Sequence, residues 1–294
     1  MASTCPLFAL AEQALRAAGP SGGPGALVWV GLRVGEDLAA LQALPAERIV
    51  LVAADPAAGP VLEAAAAADP RLVVRLAALA EARGRAPLHV TNMPSLTALR
   101  PVTAATAATL PGLREIATPE VATAPLPDLL RLPARASRDG LGGGPEDEPE
   151  DGLGLEGSEA GGPDHHGPKH QEPDKDGPKR DGPEDGQARI ALLIVDSAGQ
   201  EAVLQEALVG SAVAAVGQVL LRLPLTPMHD GSLAAEPLLA ALQAAGWRLA
   251  ASAVAEDPAF ACHLLTPPSV APAPPLQAPD SASISDPTSA AASG

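Results

Sequence analysis

Residues 26–56, ALVWVGLRVGEDLAALQALPAERIVLVAADP, confine this chain to a small set of folds. The apolar run Ala26–Val30 predicts a strand. Gly31 and Gly35 follow, four residues apart, and mark a turn. Leu38, Leu41 and Leu44 recur at helical spacing, which predicts a helix over 36–44. A second apolar run, Ile49–Val52, predicts the next strand at 48–52. Strand, glycine turn, helix and strand together make half of a nucleotide-binding α/β unit. In such a unit the ligand lies across the C-terminal ends of the strands. An adenosine ribose then asks for a carboxylate at the end of the second strand. Ala53 stands there, and the nearest acid is Asp55.

The same alternation extends along the chain. A helix is expected near 7–18 and another, rich in alanine, over 57–68. RLVVRLAAL at 71–79 and APLHVTN at 86–92 read as strands, separated by an Arg83–Gly84–Arg85 turn. Residues 114–124 alternate weakly and are expected to pair as a strand despite Pro119. LPDLL at 126–130 closes the first half. Order resumes at Ala188, where ARIALLIVD has the continuous apolarity of a strand buried on both faces. A helix over Glu201–Val209, a strand at 218–225 and a helix over Leu233–Ala245 follow, the last ended by Gly246 as a favoured cap. Strands at 247–254 and 260–265 are close enough to form an antiparallel hairpin. The expected fold is α/β, a Rossmann-like, mostly parallel sheet with a C-terminal antiparallel hairpin, its two parts at 26–137 and 188–265 and a helix in 1–25 ahead of them.

Between the two parts, residues 138–187 hold 13 Gly and 7 Pro, with 15 acids against 5 bases. That composition has no apolar periodicity and is expected to stay disordered, as is the Pro/Ala/Ser tail from Thr266. The insert carries much of the chain's net charge of −16. With two Phe, two Trp and no Tyr in the whole chain, a surface that stacks nucleic-acid bases is not expected. The negative charge also argues against a phosphate-backbone partner. Cys5 and Cys262 make neither a metal site nor a disulfide framework and fit a reducing compartment. No run of 18 apolar residues is present, and MASTCPLFALAEQALRAAG lacks the basic start of a signal peptide. The expected location is the cytoplasm, with no membrane partner.

Several segments, in order, resemble one family. VGLRVG at 30–35 is similar to a Val-Gly-Ala-Asn-x-Gly turn. VAADP at 52–56 stands where the family has an acid-Pro-Asp-Pro strand end. NMPSLTALRP at 92–101, VATAPLPDLL at 121–130, LLIVDSAGQE at 192–201 and LTPMHDG at 225–231 match its later segments, LLIVDSAGQE resembling Leu-Lys-Ile-Asp-x-x-Gly-x-Glu. Gly246–Trp247 also falls in place. Together they resemble the FkbM-type methyltransferases, a branch of the Rossmann-like enzymes that use S-adenosyl-L-methionine. The resemblance implies that cofactor, a hydroxyl of a sugar or other small metabolite as acceptor, and O-methyl transfer. The sequence departs from the family at Trp29, Ala53, Ile194, Arg222 and His229, while Asp196, Gly199 and Glu201 are kept.

By that resemblance Gly31, Gly35 and Asp55 are cofactor-binding candidates, Asp196 and His229 are catalytic candidates, and Glu201 is a substrate-binding candidate. Each has a plainer alternative. The glycines also serve a tight turn without a ligand. Asp55 also caps the helix that starts at Pro56. Asp196 also suits a polar strand end capping the next helix, and Glu201 the dipole of that helix. His229 also suits an exposed loop. His165, His166 and His170 of the insert match no closed zinc site, and no metal is expected. Two other functions stay open: a catalytically degenerate member acting as a binding or scaffold module, and an α/β enzyme for another nucleotide. The absence of a Gly-Lys-Ser/Thr loop counts against a P-loop NTPase.

Overall fold

The computed structural model describes residues 5–18, 25–32, 38–132, 189–210 and 216–268. The chain divides into two units, Met1–Leu130 with Arg189–Gly294, and Arg131–Ala188. The second falls almost entirely outside the described residues, as do the acidic segment 138–187 and the tail after 268. The fold is therefore that of the first unit.

Its elements run α1 (Pro6–Ala18), β1 (Ala26–Val30), α2 (Leu38–Gln42), β2 (Arg48–Ala53), α3 (Gly59–Ala68), β3 (Leu72–Leu76), β4 (Ala78–Leu79), β5 (Gly84–Pro87), β6 (Val90–Thr91), α4 (Ala104–Thr109), β7 (Glu115–Ala117), β8 (Glu120–Ala124) and α5 (Leu126–Leu129). The second part adds β9 (Ile190–Val195), α6 (Glu201–Val209), β10 (Val216–Pro224), α7 (Ala235–Ala244), β11 (Arg248–Val254) and β12 (Phe260–Thr266). Seven strands form the main sheet in the order β3-β2-β1-β9-β10-β12-β11. β3 through β10 pair in parallel, and β12 runs antiparallel to both β10 and β11. This is the expected Rossmann-like, mostly parallel sheet with its C-terminal antiparallel hairpin. The chain order reverses between β1 and β9, which neighbour each other although residues 31–189 lie between them. A crevice opens at such a reversal.

The central strands are apolar on both faces because both faces are covered. Every residue of β1 and β9 is buried. Leu27 and Trp29 share one face with Ile49, Leu51, Ala53, Leu192 and Ile194, against Leu7, Phe8 and Ala11 of α1. The rings of Trp29 and Phe8 lie 5.4 Å apart, tilted by 51°. Each fully buried leucine or valine contributes about 1.5–3 kcal/mol, so this aliphatic layer carries most of the stability.

Two expected strands divide. RLVVRLAAL is one apolar run in sequence, but its pairing with β2 ends at Leu76. Ala77 makes a last bond to the main sheet, its N–H donating to Ala53 O at 3.0 Å. Ala78 and Leu79 then join a separate three-stranded sheet, β4-β8-β5. Residues 114–124 divide at Thr118–Pro119, since proline lacks the N–H a continuous ladder needs. β7 pairs with β6, and β8 pairs with β4 and β5. At the end of α7, Gly246 has a φ of +93° and closes the helix, its N–H bonding Gln243 O at 2.9 Å. Trp247 Nε1 then donates to Leu208 O at 3.1 Å and ties this corner to α6.

Arg71 joins the second βα crossover. Its guanidinium donates to Gln42 O at 2.7 Å, to Leu44 O and Ala46 O at 3.3 Å, and to Asp69 Oδ2 at 2.7 Å. Those carbonyls end α2 and open the loop to β2, where no helical donor remains for them. Arg71→Ala is expected to lower stability by about 1–3 kcal/mol, read from urea unfolding. Arg71→Lys, with one nitrogen instead of a fork, should recover less than half.

Candidate active site

A cleft of about 190 Å³ opens at the C-terminal ends of β1, β2 and β9, at the point where the strand order reverses. Its floor is Gly31 and Leu32, directly after β1. Ala54 and Asp55, after β2, form one side. Asp196, Ser197 and Ala198, after β9, form a second. Pro94, Ser95 and Thr97 form the third.

Gly31 is held by its neighbours before any ligand is considered. Its φ is +87°, and a Cβ there would lie 2.2 Å from Asp196 O. Its N–H donates to Val52 O at 2.9 Å, and that of Leu32 reaches the same carbonyl at 3.4 Å. Glycine is thus required by the approach of the β1 and β9 ends, and both amides are engaged within the sheet. Gly35 lies outside the described residues.

Asp55 stands two residues beyond β2. Its Oδ1 accepts from Ala57 N at 2.9 Å and caps the turn Pro56–Ala58, and the residue also lines the cleft. The side chain at Ala53 points the other way, into the core beneath the sheet, where it is 1% exposed. A carboxylate at that position would be buried among leucines. Trp29 faces the same core. Its Nε1 has no hydrogen-bond partner, which leaves one donor buried and unsatisfied.

Asp196 ends β9 and meets a partner from the next strand. Arg222 donates to its Oδ1 at 2.9 Å, and both side chains are 4% exposed. The Arg222 guanidinium carbon sits 3.8 Å from the centroid of the Phe260 ring. Register explains the meeting: β10 sets Leu220 beside Ile194 and Leu221 beside Val195, so Arg222 falls level with Asp196. Neither expected role of Asp196 included this ion pair.

Glu201 and His229 are absent from the cleft lining. Each is 1% exposed and sits behind the walls. Glu201 Oε1 accepts from Gly199 N at 2.9 Å, inside the Asp-x-x-Gly-x-Glu segment. His229 Nε2 is 3.1 Å from Leu96 O. A carbonyl only accepts, so Nε2 carries the proton. The expected exposed loop histidine is therefore a buried one. A long loop with few apolar residues, LTPMHDG, gives little sign of that. The wall at 94–97 lies within NMPSLTALRP, a segment picked out by the resemblance but given no role there.

Burial pushes the Glu201 carboxyl up, against the amides of Gly199, Leu233 and its own residue and the charge of Arg100. Burial pushes the His229 imidazole down. The two act oppositely on stability. The Glu201 contribution is complete below its ordinary value of 4.5 and is lost as pH rises through the raised native value. The His229 contribution is complete above its ordinary value of 6.5 and is lost as pH falls through the lowered native value. Glu201→Gln keeps an acceptor for Gly199 and removes the buried charge. It should unfold at equal or higher urea concentration than the parent at pH 7, with the difference closing by pH 4. A variant less stable at pH 7 than at pH 4, relative to the parent, would reverse the sign.

Among the described residues no group of three or more His, Cys, Asp and Glu could hold a metal ion. His165, His166 and His170 lie outside them. No described helix is long and apolar enough to cross a membrane.

No family model and no curated protein matches this chain. Among solved structures it is similar to a candidate tRNA (m1A22) methyltransferase of Streptococcus pneumoniae, with a TM-score of 0.38 and 10% identity over 91% of this chain and 71% of the other. The structure of that protein in complex with S-adenosyl-L-methionine gives a TM-score of 0.35 at 10% identity, over 87% and 72%.

Proposed function

We propose that the chain is an S-adenosyl-L-methionine-dependent O-methyltransferase of the FkbM type, acting on a hydroxyl of a sugar or other small metabolite. One observation carries the reading: the cleft sits at the reversal between β1 and β9 and gathers Gly31, Asp55 and Asp196 from three successive strand ends. The residues present suit the cofactor. Asp55, with one oxygen on Ala57 N, would accept from the ribose hydroxyls with the other, in place of the core-facing Ala53. Gly31 leaves the floor without a side chain. Bound there, S-adenosyl-L-methionine supplies an electrophilic methyl group on a sulfonium.

Among the described residues, the lining includes Asp55 and Asp196 and neither Lys nor Arg. It favours a cation and a neutral hydroxylated acceptor over a phosphate backbone. Asp196 would accept from the acceptor hydroxyl and orient its oxygen, and orientation supplies much of the rate of a direct transfer. Arg222 holds that carboxylate in place. Ser95 and Ser197 offer further hydroxyls to a polyol.

A second reading, a degenerate module that binds without turnover, is favoured by the floor. Ligand clefts usually exceed about 300 Å³, whereas this one is about 190 Å³, with both floor amides spent on Val52 O. Titration calorimetry of the full chain with S-adenosyl-L-methionine tests both. Silence at millimolar cofactor sinks the enzyme reading. Binding with no product from a panel of hydroxylated acceptors selects the second.

A further inference from the structure

We propose that Glu201 and His229 are positioning residues that brace two walls of the cleft against each other, so that a ligand meets Asp196 and the 94–97 segment in one geometry. This rests on the reading of the cleft as a cofactor site.

The first wall is the turn Pro94–Leu96 with Thr97. Its Pro94, Ser95 and Thr97 face the cleft, while Leu96 turns inward and is 2% exposed. The carbonyl of that inward residue takes the proton of His229 Nε2 at 3.1 Å. The second wall is Asp196–Ala198. It ends at Gly199, whose φ of +79° turns the chain into α6. Glu201 Oε1 holds the Gly199 N–H at 2.9 Å and closes that turn.

The two walls meet at the imidazole. A Cβ on Gly199 would lie 3.1 Å from His229 Cγ and 3.2 Å from Ala98 Cβ. The ring of His229 therefore hydrogen-bonds one wall and lies close against the other at Gly199. Its own backbone is anchored to the first wall's continuation. Thr103 N donates to Met228 O at 2.9 Å, and Asp230 N to Pro101 O at 3.1 Å. His229 N donates to Ser232 Oγ at 3.2 Å. Neither side chain touches the cleft, and burying two ionisable groups opposes folding. What they hold in return is the spacing between the walls.

Volume-matched apolar replacements separate a brace from plain packing. His229→Phe keeps a ring against Gly199 and removes the donor to Leu96 O. Glu201→Leu fills the space and removes the acceptor for Gly199 N–H. Titration of the full chain with S-adenosylhomocysteine should show each weakening affinity about tenfold or more. His229→Gln and Glu201→Gln, which keep the donor and the acceptor, should stay within about threefold of the parent. Hydrogen exchange supplies a readout without ligand. The Gly199 amide should exchange about tenfold faster in Glu201→Leu, and the 94–98 amides faster in His229→Phe.

Folded apolar variants with parental affinity and parental exchange overturn the brace. So do glutamine variants that lose affinity as severely as the apolar ones, since the hydrogen bonds would then not be what matters. If the parent fails to bind S-adenosylhomocysteine, the cofactor reading fails and exchange alone decides the brace. Faster exchange in both walls supports it, and unchanged exchange removes it.

Discussion

Gly31→Ala should cost about 3–5 kcal/mol of folding stability, the largest loss expected from a Gly→Ala change among the described glycines. Two terms add. A residue with a side chain in the left-handed region costs about 1–2 kcal/mol, and the φ here is +87°. The new Cβ would also stand 2.2 Å from Asp196 O and 3.0 Å from Ser197 N. Neither neighbour yields easily. Asp196 N is bonded to Val30 O at 2.9 Å and Gly31 N to Val52 O at 2.9 Å, so relief means unzipping the ends of β1 and β9 together. Gly112 is an internal control. It has the same φ of +87°, and a Cβ there meets nothing within 4 Å. Gly112→Ala should therefore show the conformational cost alone, about 1–2 kcal/mol. Urea unfolding of the two variants measures the difference. Equal losses would mean that the strand ends separate freely, and the floor of the cleft would not be a rigid element. In the proposed function Gly31→Ala also closes the floor, so cofactor binding should vanish even in the fraction that remains folded.

The strands at this site were legible in the sequence because burial on both faces leaves continuous apolar runs. Ala26–Val30, Ile49–Val52 and Ile190–Val195 need no partner to be recognised. The hairpin of β11 and β12 was legible for a similar reason, two β-prone runs around Glu256–Asp257–Pro258. Strand ends were harder. RLVVRLAAL carries no mark at Ala77, because leaving one sheet for another is decided by pairing partners and not by side chains. The acids were read in part. Asp196 and Asp55 were singled out by the family resemblance, and both stand in the lining of the cleft. The weight placed on Ala53 was a matter of facing: with alternate residues of β2 pointing to opposite sides, position 53 belongs to the core. Glu201 and His229 sit in polar-looking segments, and the surroundings of His229 depend on Leu96 and Gly199 arriving from distant parts of the chain. Local pattern holds no record of such contacts.

Arg222 carried a readable signal, since an arginine inside VLLRLP can stay buried only beside an anion, and that dependence sets the second large effect. Arg222→Met should lower stability by about 3–5 kcal/mol, because it strips the cation from a carboxylate that is 4% exposed. Asp196→Asn should cost less, about 1–3 kcal/mol, because Arg222 keeps the Phe260 ring at 3.8 Å and an amide oxygen to bond. The double variant Arg222→Met with Asp196→Asn should recover most of the loss, since a neutral pair no longer leaves a buried charge without its counter-ion. The resulting coupling energy, about 3 kcal/mol or more in a double-mutant cycle, measures how far the two act as one unit. Additive losses would show that Asp196 is satisfied without Arg222. The same three proteins divide structure from chemistry. Under the proposed function the double variant is folded yet inactive, having lost the carboxylate that meets the acceptor hydroxyl, while its affinity for S-adenosylhomocysteine stays near the parent's. A folded double variant that still transfers methyl groups would remove Asp196 from the reaction and leave it as the partner that lets an arginine cross the sheet.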